Sequence, residues 1–151
     1  MGAIMEFATE KQIASFLLTC RIEGQKNFLM AFKKKTWLKS FIDFFIVGGS
    51  YYVQSSVKPK ILAFTPKGIY LMDISDITEN RSNQVLEMPW NQVKDFTYKP
   101  VLNAVRLNWN YQNEAYIFSV DVGQISQHVG QYQFNKEHYD YLAQQDFFWS
   151  K

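Results

Sequence analysis

The chain has 151 residues, of which 47% are hydrophobic and 17% are aromatic. This length fits one ordinary domain with a real hydrophobic core, and the composition argues against a disordered or low-complexity chain. The 16 basic and 14 acidic residues leave a formal net charge of +2, which is too small for an obligate nucleic-acid-binding protein. We therefore expect one domain over residues 1–151, whose charged partners would have to meet a local patch.

The single cysteine and the amino-terminal segment indicate a reduced, cytoplasmic setting. Cys20 has no second cysteine to pair with, so a disulfide within the chain and a cysteine-based metal cluster are both excluded. A lone thiol in an apolar pattern is most often a small core residue. The first residues, MGAIMEFATEKQ, lack a basic region followed by a long apolar run, so no secretory signal is predicted.

The segment TEKQIASFLLTCRIEG predicts a helix over residues 10–22. Thr9 and Gln12 have the spacing of a capping box, in which each side chain bonds the other residue's backbone amide. The apolar residues then recur at helical spacing and share one face, namely Ile13, Phe16, Leu17 and Cys20. Gly24 is a plausible stop signal.

Seven segments with β-type patterns follow: QKNFLMAF, KPKILAF, GIYLMDI, QVLEM, VKDFTYK, VRLNWNY and EAYIFSVDV. In the turn TPKG, Pro66 has a preset backbone angle and Gly68 closes the turn, so the second and third segments form a hairpin. Pro89 cannot donate to a sheet ladder and belongs at a strand end or edge. The last two segments alternate apolar and polar residues, which predicts a hairpin with one buried face.

The chain closes with FNKEHYDYLAQQDFFW, which predicts an amphipathic helix over residues 135–148. Asn135 is expected to cap this helix, with Phe134 packing on Tyr139 as a hydrophobic staple. The apolar stripe would consist of Tyr139, Leu142, Ala143 and Phe147.

Three stretches, KPKILAFTPKGIYLMDIS, MPWNQVKDFTYK and FNKEHYDYLAQQ, resemble the bacterial pleckstrin-homology-like (PH-like) family. The resemblance implies a mainly β fold: a barrel of about seven antiparallel strands over residues 26–122, capped by the carboxy-terminal helix. The helix at residues 10–22 is extra, and so is an insertion at residues 34–50 between the first two strands, which we expect to be helical. The family implies a non-enzymatic scaffold that binds lipids, peptides or other copies of itself.

In pleckstrin-homology domains, basic residues at the end of the first strand and in the next loop often bind inositol phosphates. The corresponding candidates for binding an anionic lipid are Lys33, Lys34, Lys35, Lys39, Lys58 and Lys60, with Lys67 on the same hairpin. Each ammonium group near an anionic membrane contributes on the order of 1 kcal/mol. The alternative is that these lysines only keep a sheet edge soluble.

The block TWLKSFIDFFIV (residues 36–47) lies beside these lysines, and its residues 37–47 are the candidate interaction surface. As a helix, its twelve residues rise about 18 Å, against a hydrocarbon core of about 30 Å, so it would not span a bilayer. Its wide apolar arc should be covered by the barrel, by a second subunit or by a membrane surface. The residues expected to make this contact are Trp37, Phe41, Phe44 and Phe45.

No motif for catalysis, a cofactor or a metal stands out. His128 and His138 have no accompanying ligand pattern, and DISDITEN lacks the spacing of a calcium loop, so a polar turn explains it better. The aromatics in RLNWNYQ and FTYK, interleaved with basic or amide residues, could stack the bases of a single-stranded nucleic acid on a sheet face. Ordinary alternation along a strand produces the same interleaving. Our leading hypothesis is a non-enzymatic module for protein contact or self-association, and the first alternative is a peripheral membrane adaptor.

Overall fold

The computed structural model describes residues 8–24, 26–33, 59–101, 104–122 and 134–149. Its seven strands are β1 (Phe28–Lys33), β2 (Pro59–Thr65), β3 (Gly68–Asp73), β4 (Leu86–Pro89), β5 (Val93–Val101), β6 (Ala104–Tyr111) and β7 (Glu114–Asp121). They form one sheet in the order β4-β3-β2-β1-β7-β6-β5, and every neighbouring pair is antiparallel. The predicted mainly β fold with seven antiparallel strands is confirmed.

Three α-helices accompany the sheet in the described ranges: α1 (Glu10–Thr19), α2 (Ile74–Thr78) and α3 (Phe134–Gln144). Short 3₁₀ turns lie at Ser82–Gln84, Trp90–Gln92 and Asp146–Phe148. None of the helices in this part of the chain is long and apolar enough to cross a membrane.

Both predicted hairpins are present. Thr65 lies opposite Gly68 across the β2–β3 turn, and Tyr111 lies opposite Glu114 across the β6–β7 turn. Pro89 ends β4, which is an edge strand. At these positions the turn residues and the alternation of apolar and polar residues predicted the strand pairing that the structure shows.

Helix α1 begins as predicted and ends earlier. Thr9 Oγ1 accepts from Gln12 N at 3.1 Å, and Gln12 Oε1 accepts from Thr9 N at 2.8 Å, so the capping box is formed. The end of the helix is not near Gly24, because Arg21 adopts a positive φ of 61°. Ile22 N–H then donates to Leu17 O at 2.8 Å, which closes the helix as a Schellman turn.

The sheet folds over an inner core that both of its ends share. Trp109 Nε1–H donates to Met88 Sδ at 3.3 Å, so β6 faces β4 across this core. Leu142 of α3 and Phe147 beyond it are both fully buried in the same cluster. Inward-facing residues of β1 and β2, such as Leu29 and Leu62, complete it.

A second, outer core lies on the opposite side of β1–β3. Its sheet residues are Phe28, Met30, Ile61, Ala63, Tyr70 and Met72. Ile13, Phe16 and Leu17 of α1 pack on them, together with Ile74 and Ile77 of α2. DISDITEN therefore contains a short buried helix, where the sequence predicted a polar turn. The strands β1–β3 are consequently covered on both faces.

Helix α3 differs from its prediction in two ways. Asn135 lies inside the helix and does not cap it, because its side chain bonds Met30 of β1 and the Asp121 carbonyl of β7. Phe134 packs on Phe28 and on the His138 ring, so the predicted staple with Tyr139 is wrong. The helix ends at Gln144 rather than at residue 148, and a turn with three consecutive positive φ angles, Asp146–Phe148, follows.

Candidate interaction face

The outward side of β5–β7 is a polar surface that we call the open face. Its side chains are exposed or half-buried, in contrast to the outer face of β1–β3. It consists of Lys94, Thr97 and Lys99 on β5, Arg106, Asn108 and Asn110 on β6, and Ala115, Ile117 and Ser119 on β7.

The register arranges the open face as three rows across the strands. The rows are Lys99–Arg106–Ser119, Thr97–Asn108–Ile117 and Lys94–Asn110–Ala115. Neighbouring rows are two residues apart along β6 and β7, which corresponds to about 7 Å, whereas Lys94 and Thr97 on β5 are three residues apart. The alternating residues of β6, such as Leu107 and Trp109, point the other way into the inner core.

A β-bulge and a shallow groove shape one side of the open face. The pairing of β5 with β6 shifts by one residue between Lys94 and Thr97, where Asp95 adopts a positive φ of 57°. Its carboxylate accepts from Asn110 Nδ2 at 3.4 Å. The adjoining groove has a volume of about 290 Å³ and is lined by Asp95, Arg106, Asn108, Trp109, Asn110, Ala115, Tyr116 and Ile117. A bulge in this position turns a side chain toward the outward surface.

Two like charges face each other directly on the open face. Lys99 is the cross-strand partner of Arg106, and like charges in opposite positions destabilise a sheet. Neither Lys99 nor Arg106 makes an ion pair within the described part of the chain, whereas Lys136 pairs with Asp140 and Arg81 with Asp76. The positive charge of the Lys99–Arg106 row is therefore uncompensated by a described carboxylate.

The aromatic rings of this half of the sheet are turned away from the open face. Trp109 is 1% exposed and Phe96 is 6% exposed. Trp109 stacks on Tyr116 with ring centroids 5.5 Å apart and an interplanar angle of 3°. The rings in RLNWNYQ and FTYK that were candidates for base stacking thus belong mainly to the inner core.

The structure describes two of the six lysines predicted to bind an anionic lipid, and both have acidic neighbours. Lys33 Nζ is 3.5 Å from Glu114 Oε2 and lies 5.2 Å from the centroid of the Tyr116 ring. Lys60 forms an ion pair with Asp73, which is its cross-strand partner. Lys34, Lys35, Lys39 and Lys58 lie outside the described residues, as do Trp37, Phe41, Phe44, Phe45 and the predicted helical insertion.

His138 is fully buried and joins three elements. Its Nδ1 lies 2.7 Å from the Phe28 carbonyl oxygen, and its Nε2 lies 3.1 Å from Glu10 Oε2. No group of three or more histidine, cysteine, aspartate or glutamate side chains among the described residues is arranged to hold a metal ion. The position of His138 makes it a structural link between α1, β1 and α3.

Sequence reasoning did not select Lys94, Lys99 or Arg106 as site residues. The alternation in VRLNWNY places Arg106 on the polar side of its strand, while Lys94 and Lys99 belong to VKDFTYK, whose polar side was not assigned. Lys99 lies opposite Arg106 in the same unbroken register as Val101 opposite Ala104, and the pattern within a single strand does not give this pairing.

Comparisons with protein-family models, with curated proteins and with solved structures found no match to this chain.

Proposed function

We propose that the chain is a non-enzymatic binding module that contacts another protein, or a second copy of itself, through the open face. The observation that carries this proposal is the unequal covering of the sheet. α1 and α2 bury the outer face of β1–β3, while the outer face of β5–β7 keeps a groove and a Lys99–Arg106 row for which no ion pair is formed within the described ranges. A surface held by a rigid sheet and left accessible is suited to recognition.

We also propose that the antiparallel sheet is a PH-like barrel capped by α3. Seven antiparallel strands followed by α3 support it, because this is the element order that the three resembling stretches imply. The burial of Leu142 and Phe147 in the inner core supports a terminal segment that plugs the folded sheet. A cytoplasmic location is part of the proposal.

The character of the open face supports binding without catalysis. Its polar groups are amides, hydroxyls, ammonium groups and one guanidinium, and the Asp95 carboxylate hydrogen-bonds an amide. General acid–base or nucleophilic catalysis requires a nucleophile, a base and a group that orients the base, within hydrogen-bonding reach of one another. The described groups on this face do not supply such a set.

The membrane alternative receives less support from the described lysines. Lys33 and Lys60 face Glu114 and Asp73, so part of their charge is already balanced before any anionic headgroup approaches. Single-stranded nucleic acid is also disfavoured, because Trp109 and Phe96 do not present their faces for stacking on the outward side. A protein partner is therefore the function that the geometry supports best.

Site-specific photo-crosslinking tests this proposal. A photoreactive amino acid is placed at Thr97 or Asn108 on the open face, and at Ser15 on the exposed side of α1 as the matched control. We expect the open-face positions to give a discrete protein adduct in the native cells while the control does not. Size-exclusion chromatography with light scattering then distinguishes a second copy from a different protein.

The absence of adducts at both open-face positions, or the same adducts from Ser15, would contradict the proposed interface. Flotation with anionic vesicles tests the membrane alternative in parallel. Binding that is lost on changing Lys33, Lys34 and Lys35 to Gln would favour that alternative.

A further inference from the structure

We propose that the open face takes an acidic, extended segment of a protein partner, with a carboxylate held between Lys99 and Arg106. This inference rests on the proposed function and specifies the chemistry of the partner. The inference starts from the pairing of Lys99 with Arg106. Two cations in opposite positions destabilise a sheet, and a bound anion would relieve their repulsion.

The geometry of this row suits a carboxylate. Lys99 and Arg106 are both exposed, and neither side chain has a hydrogen-bond or ion-pair partner among the described residues. A guanidinium binds a carboxylate through two parallel hydrogen bonds, and an adjacent ammonium adds a further donor. Ser119, the third member of the row, contributes a hydroxyl at the β7 side.

Charged groups on the neighbouring strands surround this row. Lys94 lies on β5, two rows away, and adds to the positive field. Asp95 is engaged with Asn110 at the bulge. Asp121 lies one row beyond Ser119 on β7, opposite Ala104, and its carbonyl oxygen accepts from Asn135 Nδ2. The face therefore carries three cations, with its acidic groups at two opposite margins.

The row spacing favours an extended polypeptide. Successive rows are about 7 Å apart, which matches the separation of residues i and i+2 in a strand-like peptide. One step from the Lys99–Arg106 row, Asn108 offers an amide beside the half-buried side chain of Ile117. The groove continues from there along Asn110 and Ala115. A peptide that alternates acidic residues with others would meet the charged row and then the groove.

A protein segment fits better than nucleic acid, because the open face offers hydrogen-bond donors and a small apolar strip but not the core rings Trp109 and Phe96. Proteins that bind single strands combine positive charge with aromatic platforms. A second copy of this chain is a weaker candidate, since described acidic residues of the other half, such as Asp73 and Asp76, are already paired with cations.

The test uses a capped peptide of alternating Glu and Ser as the probe and a Lys–Ser peptide of the same length as its control. Binding is followed by amide chemical shifts of the protein and by calorimetry at low and high salt. We expect shifts concentrated at Lys99, Arg106 and Asn108, with an affinity that falls as salt rises. The double variant K99Q/R106Q should bind about tenfold more weakly.

Two further variants keep the outcome interpretable. K11Q/R21Q removes one lysine and one arginine charge from exposed positions elsewhere and should leave the affinity within about twofold. Lys99→Glu places an opposite charge across from Arg106, so it should raise the thermal unfolding midpoint while abolishing binding of the acidic probe. A stabilised protein without binding would rule out unfolding as the cause of the loss.

Several results would overturn the inference. These are an absence of shifts at the open face, equal losses in the two double variants, or tighter binding of a single-stranded oligonucleotide than of the acidic peptide. Photo-adducts at Thr97 that persist unchanged in K99Q/R106Q would reject the acidic partner and leave the proposed function standing. The absence of adducts at Thr97 and Asn108 in the protein that keeps Lys99 and Arg106 would reject both the acidic partner and the proposed function.

Discussion

The strands β1–β3 and β5–β7 belong to one sheet, but they differ in what covers them. The first group is buried on both faces, by the inner core on one side and by α1 and α2 on the other. The second group shares the inner core, while its outward residues form the open face. The first group thus packs on both of its faces, and the second packs on one face and keeps the other accessible.

This difference follows the residue pattern along the strands. β1 reads FLMAFK, and its first four residues are all buried, because a strand covered on both faces needs apolar side chains in both directions. β6 reads AVRLNWNY, and it alternates buried with more exposed residues. Both strand groups contribute to the inner core, but only β1–β3 also pack on the outward side, so changes on the open face should leave folding almost intact.

The largest effect is expected from removing part of the helical cover. Ile13 of α1 is fully buried in the outer core, so Ile13→Ala should lower the free energy of unfolding by about 3 kcal/mol. Ile117→Ala on the open face is the matched change and should cost less than about 1 kcal/mol, because Ile117 is only half-buried. Urea denaturation of the two variants measures both values. Similar losses would show that the two outer faces are equally covered.

The difference between the strand groups could be anticipated from the sequence, but the register of the open face could not. Continuous apolar residues in β1 and alternating ones in β6 are local signals with a period of two. The opposition of Lys94 and Asn110 depends on the extra residue at the Asp95 bulge. A bulge is set by pairing between strands, so the sequence of β5 alone does not locate it.

The helix ends show the same division between local and long-range causes. The capping box of Thr9 and Gln12 involves residues three apart and was predictable. Asn135 was assigned to a cap because asparagine is common there. Its side chain instead bonds Met30, which is 105 residues away in the chain. Only the tertiary structure decides between these two uses of one amide.

A smaller effect is expected from Asn135, at the junction where the two strand groups meet. Its Oδ1 accepts from Met30 N at 2.9 Å, and its Nδ2 donates to Met30 O at 2.9 Å and to Asp121 O at 3.1 Å. Asn135→Ala removes these three hydrogen bonds, two of them to the buried Met30 backbone, and should cost about 2 kcal/mol. Hydrogen exchange of the Met30 amide should accelerate at the same time.

The control for this prediction is Asn110→Ala, which removes an exposed amide from the open face and should change stability by less than about 0.5 kcal/mol. Slow exchange of the Met30 amide in the Asn135→Ala variant would contradict the proposed junction. It would mean that β1 and β7 hold together there without the side chain of α3.

The smallest effect is expected from two tyrosines, one in each strand group. Burial, followed by the hydrogen bond to Glu87, raises the pKa of Tyr70 from 10.0 to about 12. Burial, followed by the hydrogen bond to Asp146, raises the pKa of Tyr98 to about 12 in the same way. The folded protein therefore retains protons that the unfolded chain releases, and this contribution to stability is complete below pH 10.

As the pH rises from about 10 to about 12, that contribution should be lost progressively, and the denaturation midpoint should fall. Tyr98→Phe and Tyr70→Phe should each flatten the decline, because phenylalanine has no proton to lose. The two variants should flatten it to a similar extent, since each hydroxyl group donates to one carboxylate. Flattening by Tyr70→Phe alone would mean that the hydroxyl of Tyr98 titrates as in the unfolded chain and that its exposed hydrogen bond to Asp146 does not hold the proton.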